Sequence, residues 1–150
     1  MSQDGIDLAT SLGYALKEAA SALRTAMEAA LRPLGMNVTQ YACLELLAQR
    51  PGLSNSELAR GAFVTRQSMN VLLQAMERDG YVTRPAEARI GKVLPTQLTP
   101  LGQESLEKAS AAVRSVEIRM LEGMTPNEQG DAFRLLQGMA RSLRDSAPDR

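Results

Sequence analysis

The sequence contains no histidine and only one cysteine, Cys43. Without imidazole there is no Ser-His-Asp or Cys-His nucleophilic arrangement and no histidine ligand for a metal. A single thiol can complete neither a thiolate zinc site nor an internal disulfide. The carboxylates are scattered over helical surfaces and form no convergent pair. No catalytic residue, metal or cofactor is therefore expected, and the chain does not read as an enzyme. No apolar run approaches the roughly 18 residues that cross a bilayer, and no basic, apolar, small-residue leader opens the sequence. A cytoplasmic location follows as the expectation. Net charge is absent too: 17 Lys and Arg balance 17 Asp and Glu. That excludes a polybasic coat but not a local positive patch. Between Ser54 and Thr99, six basic residues stand against four acidic ones, so what positive excess there is lies in the middle of the chain.

What is present is mostly helix. From Asp7 to Leu34, Leu8, Leu12, Ala15, Leu16, Ala19, Leu23, Ala26, Met27, Ala30 and Leu31 recur at helical spacing, and Pro33 and Gly35 mark the end. Thr39 is the expected cap of a second helix with Tyr41, Leu44, Leu46, Leu47 and Ala48 on its apolar side, broken by Pro51 and Gly52. Ser54 and Glu57 have capping-box spacing and start a short helix with Leu58 and Ala59 inward. Gly61 is expected to permit the turn that follows. Thr65 then caps a helix to about Asp79, with Met69, Leu72, Leu73 and Met76 on its buried face.

After Gly80 the period changes. Tyr81-Val82-Thr83 and the stretch from Val93 to Leu98 read as two strands, with Pro95 favouring an edge or a bulge. Pro85 to Lys92 between them suits an exposed hairpin loop. Thr99-Pro100 restarts helix, with Leu106, Ala109, Val113, Val116 and Met120 as its stripe up to Gly123. Thr125 and Glu128 form another box before a last stripe of Phe133, Leu136, Met139, Ala140 and Leu143, and fraying is expected from about Ser146. The expected fold is mainly α with a small β-hairpin wing: a winged helix-turn-helix flanked by long helices. Those helices carry more apolar face than a middle of about sixty residues can cover, which points to a homodimer.

With Met69, Leu72, Leu73 and Met76 inward, Arg66, Gln67, Asn70, Val71 and Gln74 fall on the opposite face. A major groove admits such a helix. Arg pairs with guanine, Asn and Gln with adenine, and Val meets a thymine methyl. The capped helix starts at Ser54 and Thr65, together with the Thr65 and Ser68 hydroxyls, suit phosphate oxygens. Arg84, Arg89 and Lys92 punctuate the hairpin, where a basic tip reaches backbone or minor groove. The residues alone leave two alternatives open: a merely solvated face, and a winged-helix protein-interaction module without specific DNA binding.

The order Leu53-Ser54-Asn55-Ser56-Glu57-Leu58-Ala59, Thr65-Arg66-Gln67-Ser68, Leu72-Leu73-Gln74-Ala75-Met76-Glu77-Arg78-Asp79-Gly80-Tyr81-Val82 and Leu98-Thr99-Pro100-Leu101-Gly102 resembles the MarR family of transcriptional regulators over nearly the whole chain. The resemblance implies one domain over 1–150, with a DNA-binding lobe at 36–99 and dimerisation arms at 7–34 and 99–145. It further implies a two-fold dimer, the helix from Thr65 to Asp79 in consecutive major grooves, and wings alongside. Many members carry Asp-x-Arg in the wing; this chain has Glu87-Ala88-Arg89, then Gly91-Lys92. Members commonly repress promoters until a ligand or oxidant relieves repression. The ligand pocket of relatives, where arms meet lobe, makes Tyr14, Met36, Tyr41 and Met120 candidates, although each reads first as a core position. Redox-sensing relatives have their cysteine near the start of the first helix, where this chain has none, so Cys43 reads as buried and inert. Two recognition helices spaced about 34–36 Å apart would require an inverted-repeat site on double-stranded DNA.

Overall fold

The computed structural model describes residues 4–84 and 96–145. The chain divides into two compact units, Met1–Val116 and Glu117–Arg150. The first contains helices α1 (Leu12–Leu31), α2 (Val38–Gln49), α3 (Asn55–Gly61) and α4 (Arg66–Arg78), strands β1 (Val82–Thr83) and β2 (Gln97–Leu98), and most of α5 (Pro100–Met120). The second contains the end of α5 and α6 (Pro126–Asp145).

Helix starts follow the local hydrogen-bond chemistry, in two places not where the apolar spacing put them. α1 begins at Leu12 rather than Asp7, because the Ser11 hydroxyl accepts the Tyr14 N–H at 3.1 Å. Asp7 instead closes a turn, its Oδ1 accepting from Ala9 N–H, so Leu8 lies outside the helix. A single 3-10 turn, Arg32–Leu34, follows α1 and ends on Gly35 at φ 69°. The cap of α2 is Asn37, not Thr39. Its Oδ1 accepts from Gln40 N–H at 2.8 Å while Gln40 Oε1 accepts from Asn37 N–H at 2.9 Å. A box closed from both ends satisfies two orphan amides and outcompetes a lone threonine two residues on.

The core of the first unit joins Cys43, Leu44 and Leu47 of α2, Leu58 and Ala59 of α3, Met69, Leu73 and Met76 of α4, Val82 of β1 and Leu106 of α5. Leu72 is only half-buried and Ala48 is exposed. α4 ends in a Schellman arrangement, with Gly80 N–H donating to Glu77 and Tyr81 N–H to Met76. That geometry keeps Tyr81 out of the strand. β1 and β2 pair antiparallel, Val82 opposite Leu98 and Thr83 opposite Gln97. Thr96 is buried just before β2, while Val93, Leu94 and Pro95, expected in that strand, lie outside the described residues.

Thr99 ties the sheet to α5. Its hydroxyl donates to the Gly80 carbonyl at 2.6 Å and accepts from Gly102 N–H at 3.0 Å, and its N–H donates to the Tyr81 carbonyl at 3.1 Å. A Cβ on Gly102 would collide with the Tyr81 carbonyl oxygen, so the Leu-Thr-Pro-x-Gly sequence is a backbone crossing.

The flanking helices keep much of their apolar surface exposed. In α1 only Leu31 is buried, and residues 12–20 are all exposed, including Leu12, Tyr14 and Leu16. In the second unit the Thr125–Glu128 box forms as expected and starts α6. Phe133, Leu136, Met139 and Leu143 of α6 are all exposed.

Candidate nucleic-acid interface

α3 and α4 form a helix-turn-helix. Ser54 caps α3, with its hydroxyl accepting from Glu57 N–H at 3.2 Å and Glu57 Oε1 accepting from Ser54 N–H at 3.0 Å. Those two bonds to Ser54 hold the Glu57 carboxyl below its ordinary range. Thr65 caps α4, its Oγ1 accepting from Ser68 N–H at 3.0 Å and donating to Ser68 Oγ at 2.9 Å. The outward hydroxyl hydrogen of this pair therefore belongs to Ser68. The first-turn amides of α4 have no carbonyl within the helix to bond, and no acidic residue stands in that turn.

Thr65, Arg66, Gln67, Ser68, Val71 and Gln74 are all exposed, opposite the buried Met69, Leu73 and Met76. Asn70 differs. It is half-buried, and its Oδ1 accepts from Asn55 Nδ2 of α3 at 2.9 Å. Its carbonyl is thus committed to the helix pair, which leaves its amide nitrogen to donate. Arg84 is half-buried at the start of the wing, where its N–H donates to Glu77 Oε2 at 3.1 Å. Arg89 and Lys92 lie outside the described residues, as do Glu87 and Gly91.

The ligand candidates have different surroundings. Met36 lines a narrow pocket with Gly35, Gln40, Leu44, Met76 and Tyr81. Tyr41 packs against the core and donates its hydroxyl to Glu45 at 2.7 Å. Tyr14 is exposed on α1, and Met120 is exposed in the second unit. Cys43 is fully buried, and burial pushes its thiol up to about 12. Among the described residues no group of three or more acidic or cysteine side chains could hold a metal.

Three features were not legible in the sequence. The Asn55–Asn70 bond joins residues fifteen apart, and no local spacing signals it. Glu45 accepts from Tyr41, from Gln49 and, at 2.9 Å, from Ser110 of α5. Partial burial raises the Glu45 carboxyl, but the three hydrogen bonds together outweigh it and leave it below its ordinary value. Finally, the turn between α3 and α4 does not use Gly61. That glycine ends α3 against Leu46, where a Cβ would come within 3.0 Å, and the left-handed residue is Phe63 at φ 60°.

A helix-turn-helix followed by an antiparallel strand pair defines the winged-helix class. A model of the MarR family matches residues 34–89. The HTH-type transcriptional repressor Rv2887 of Mycobacterium tuberculosis is 42% identical over 126 residues, covering 84% of this chain and 91% of its own length. A crystal structure of the M. tuberculosis MarR family protein Rv2887 in complex with DNA superposes at a TM-score of 0.71 and 39% identity, covering 87% of this chain and 98% of that one. The same protein in complex with salicylic acid gives 0.72 and 39%, covering 93% and 99%. The chain belongs to the MarR family of transcriptional regulators.

Proposed function

We propose that the chain is a cytoplasmic, homodimeric repressor, without catalytic activity, that binds an inverted-repeat operator and is released by a small aromatic acid. The exposed, acid-free first turns of α4, capped at Thr65, carry the reading. Arg66, Gln67, Val71 and Gln74 read base edges, Asn70 donates through its amide nitrogen, and Ser54, Thr65 and Ser68 hold phosphate. Arg84, Arg89 and Lys92 extend the contact along the wing. The residues of 36–99 form the DNA-binding lobe, and those of 7–34 and 99–145 the dimerisation arms. The exposed stripes of α1 and α6 support the dimer, because full burial of each Leu contributes about 1.5–3 kcal/mol. The salicylic acid complex of Rv2887 supports the effector class. Met36, with Tyr14, Tyr41 and Met120, supplies the first residues to test for it.

Enrichment of duplexes from a randomised pool tests the reading. We expect an inverted repeat bound by two chains in sedimentation, with salicylate lowering the affinity. Arg66→Ala and Gln67→Ala should each cost about 1–3 kcal/mol on the enriched duplex and less on a scrambled one. Arg89→Ala and Lys92→Ala should weaken both duplexes and flatten the salt dependence. A pool that yields no preferred sequence would overturn the repressor reading in favour of a protein-interaction module.

A further inference from the structure

Among the described residues, Phe63 is the only one other than glycine in the left-handed region, at φ 60°. A residue with a Cβ is strained there, whereas glycine is not. Gly35, Gly52, Gly80 and Gly123 hold the other positive-φ positions. The Phe63 turn is tightly determined, with Phe63 N–H donating to the Arg60 carbonyl at 3.2 Å and Val64 N–H to the Ala59 carbonyl at 3.0 Å. Packing does not account for the side chain either. Phe63 is 88% exposed, more than any other large apolar residue among those described. A bulky ring on strained backbone, almost wholly exposed, gains little from packing within its own chain.

Its position supplies a role outside the chain. Phe63 stands two residues before the Thr65 cap and between the exposed cations Arg60 and Arg66. Two residues of chain span at most about 7 Å. A DNA strand that reaches the Thr65–Ser68 hydroxyls and the first-turn amides of α4 would lie close to the Phe63 backbone. Resting on the operator-binding reading above, we propose that Phe63 is a DNA-contact residue whose ring packs on the apolar face of a deoxyribose bordering the groove that α4 enters. Deoxyribose is the same in every sequence, so the contact strengthens binding without discriminating bases. It neutralises no phosphate, so it releases no counterion.

The contact thus has a signature distinct from both base reading and phosphate pairing. Affinities are measured by fluorescence anisotropy over a salt series, on a duplex enriched from a random pool by the wild-type protein and on its scrambled counterpart. Phe63→Gly removes the strain with the ring, Phe63→Asn keeps a residue that tolerates the left-handed region, and Phe63→Leu keeps an apolar group. We expect Phe63→Gly and Phe63→Asn to bind both duplexes about tenfold more weakly with unchanged salt slopes. Phe63→Leu should retain most of the affinity, and neither Gly nor Asn should lower the Tm. Wild-type affinity in Phe63→Asn would overturn the proposal, as would a loss confined to the enriched duplex, a changed salt slope, or a loss that tracks a falling Tm. Absence of wild-type binding to any duplex would instead defeat the operator-binding reading on which the proposal stands.

Discussion

Asn55 of α3 donates its amide N–H to Asn70 Oδ1 of α4 over 2.9 Å, bridging the two helices of the helix-turn-helix on its half-buried side. The bond commits the Asn70 carbonyl oxygen and leaves its amide nitrogen to donate. We expect Asn55→Ala to weaken DNA binding although Asn55 belongs to the other helix. A double-mutant cycle with Asn70→Ala should give a coupling of about 0.5–1.5 kcal/mol in DNA affinity. Strict additivity would mean that Asn70 acts independently of α3.

The contact between Gly102 and the Tyr81 carbonyl sets a contrast between two glycines of long helices. Gly102→Ala should destabilise the protein by about 1–3 kcal/mol, because backbone must move to admit the methyl group. Gly130→Ala in α6 meets nothing within 4 Å and should stabilise by about 0.5–1 kcal/mol through helix propensity. Chemical denaturation of the two variants checks this, and equal effects would remove the backbone crossing as the reason for Gly102.

Acid should loosen the fold through three carboxylates held low: Glu45 by Tyr41, Gln49 and Ser110, Glu57 by Ser54, and Glu128 by Thr125. Each folded-state value lies below the ordinary 4.5, so the native state favours the charged form. The stability they contribute is present above 4.5 and is lost as pH falls through the depressed values. Tm measured from neutral pH downward should fall in that window. Glu45→Gln should lower the Tm at neutral pH and make the acid slope shallower; an unchanged slope would exclude Glu45 from the acid response.

The Cys43 thiol is raised to about 12 by burial, so essentially no thiolate nucleophile exists at neutral pH. Peroxide should leave DNA affinity intact, and a thiol reagent should label Cys43 only as fast as the lobe unfolds. Rapid labelling of the native protein, with thiol-reversible loss of DNA binding, would make Cys43 a redox sensor.

How much was legible beforehand depended on the range of the interaction. Ser54, Thr65 and Thr125 with their partners three residues on announced three helix starts, because a cap is a contact within one turn. The Met69–Leu72–Leu73–Met76 face was readable from its period, with Leu72 only half-buried, and the exposed face of α4 followed by subtraction except at Asn70, which is half-buried against α3. Where two local signals competed, spacing misled. Apolar recurrence carried α1 back to Asp7, but Ser11 caps it, and Thr39 looked like a cap until Asn37 and Gln40 closed a box ahead of it.

By itself, the sequence determined the helical alternation, the Thr65-capped start of α4, the absence of imidazole chemistry and the family pattern, all of which are read from residue identity or from residues within a turn or two of one another. Only the tertiary structure decided that Asn70 is held by Asn55, that Glu45 gathers Ser110 from a helix 65 residues away, that Gly102 is a crossing point, and that Phe63 rather than Gly61 takes the left-handed turn. These outcomes depend on which surfaces meet once the helices pack. Such meetings follow from excluded volume and hydrogen-bond satisfaction across distant segments, which local spacing does not encode.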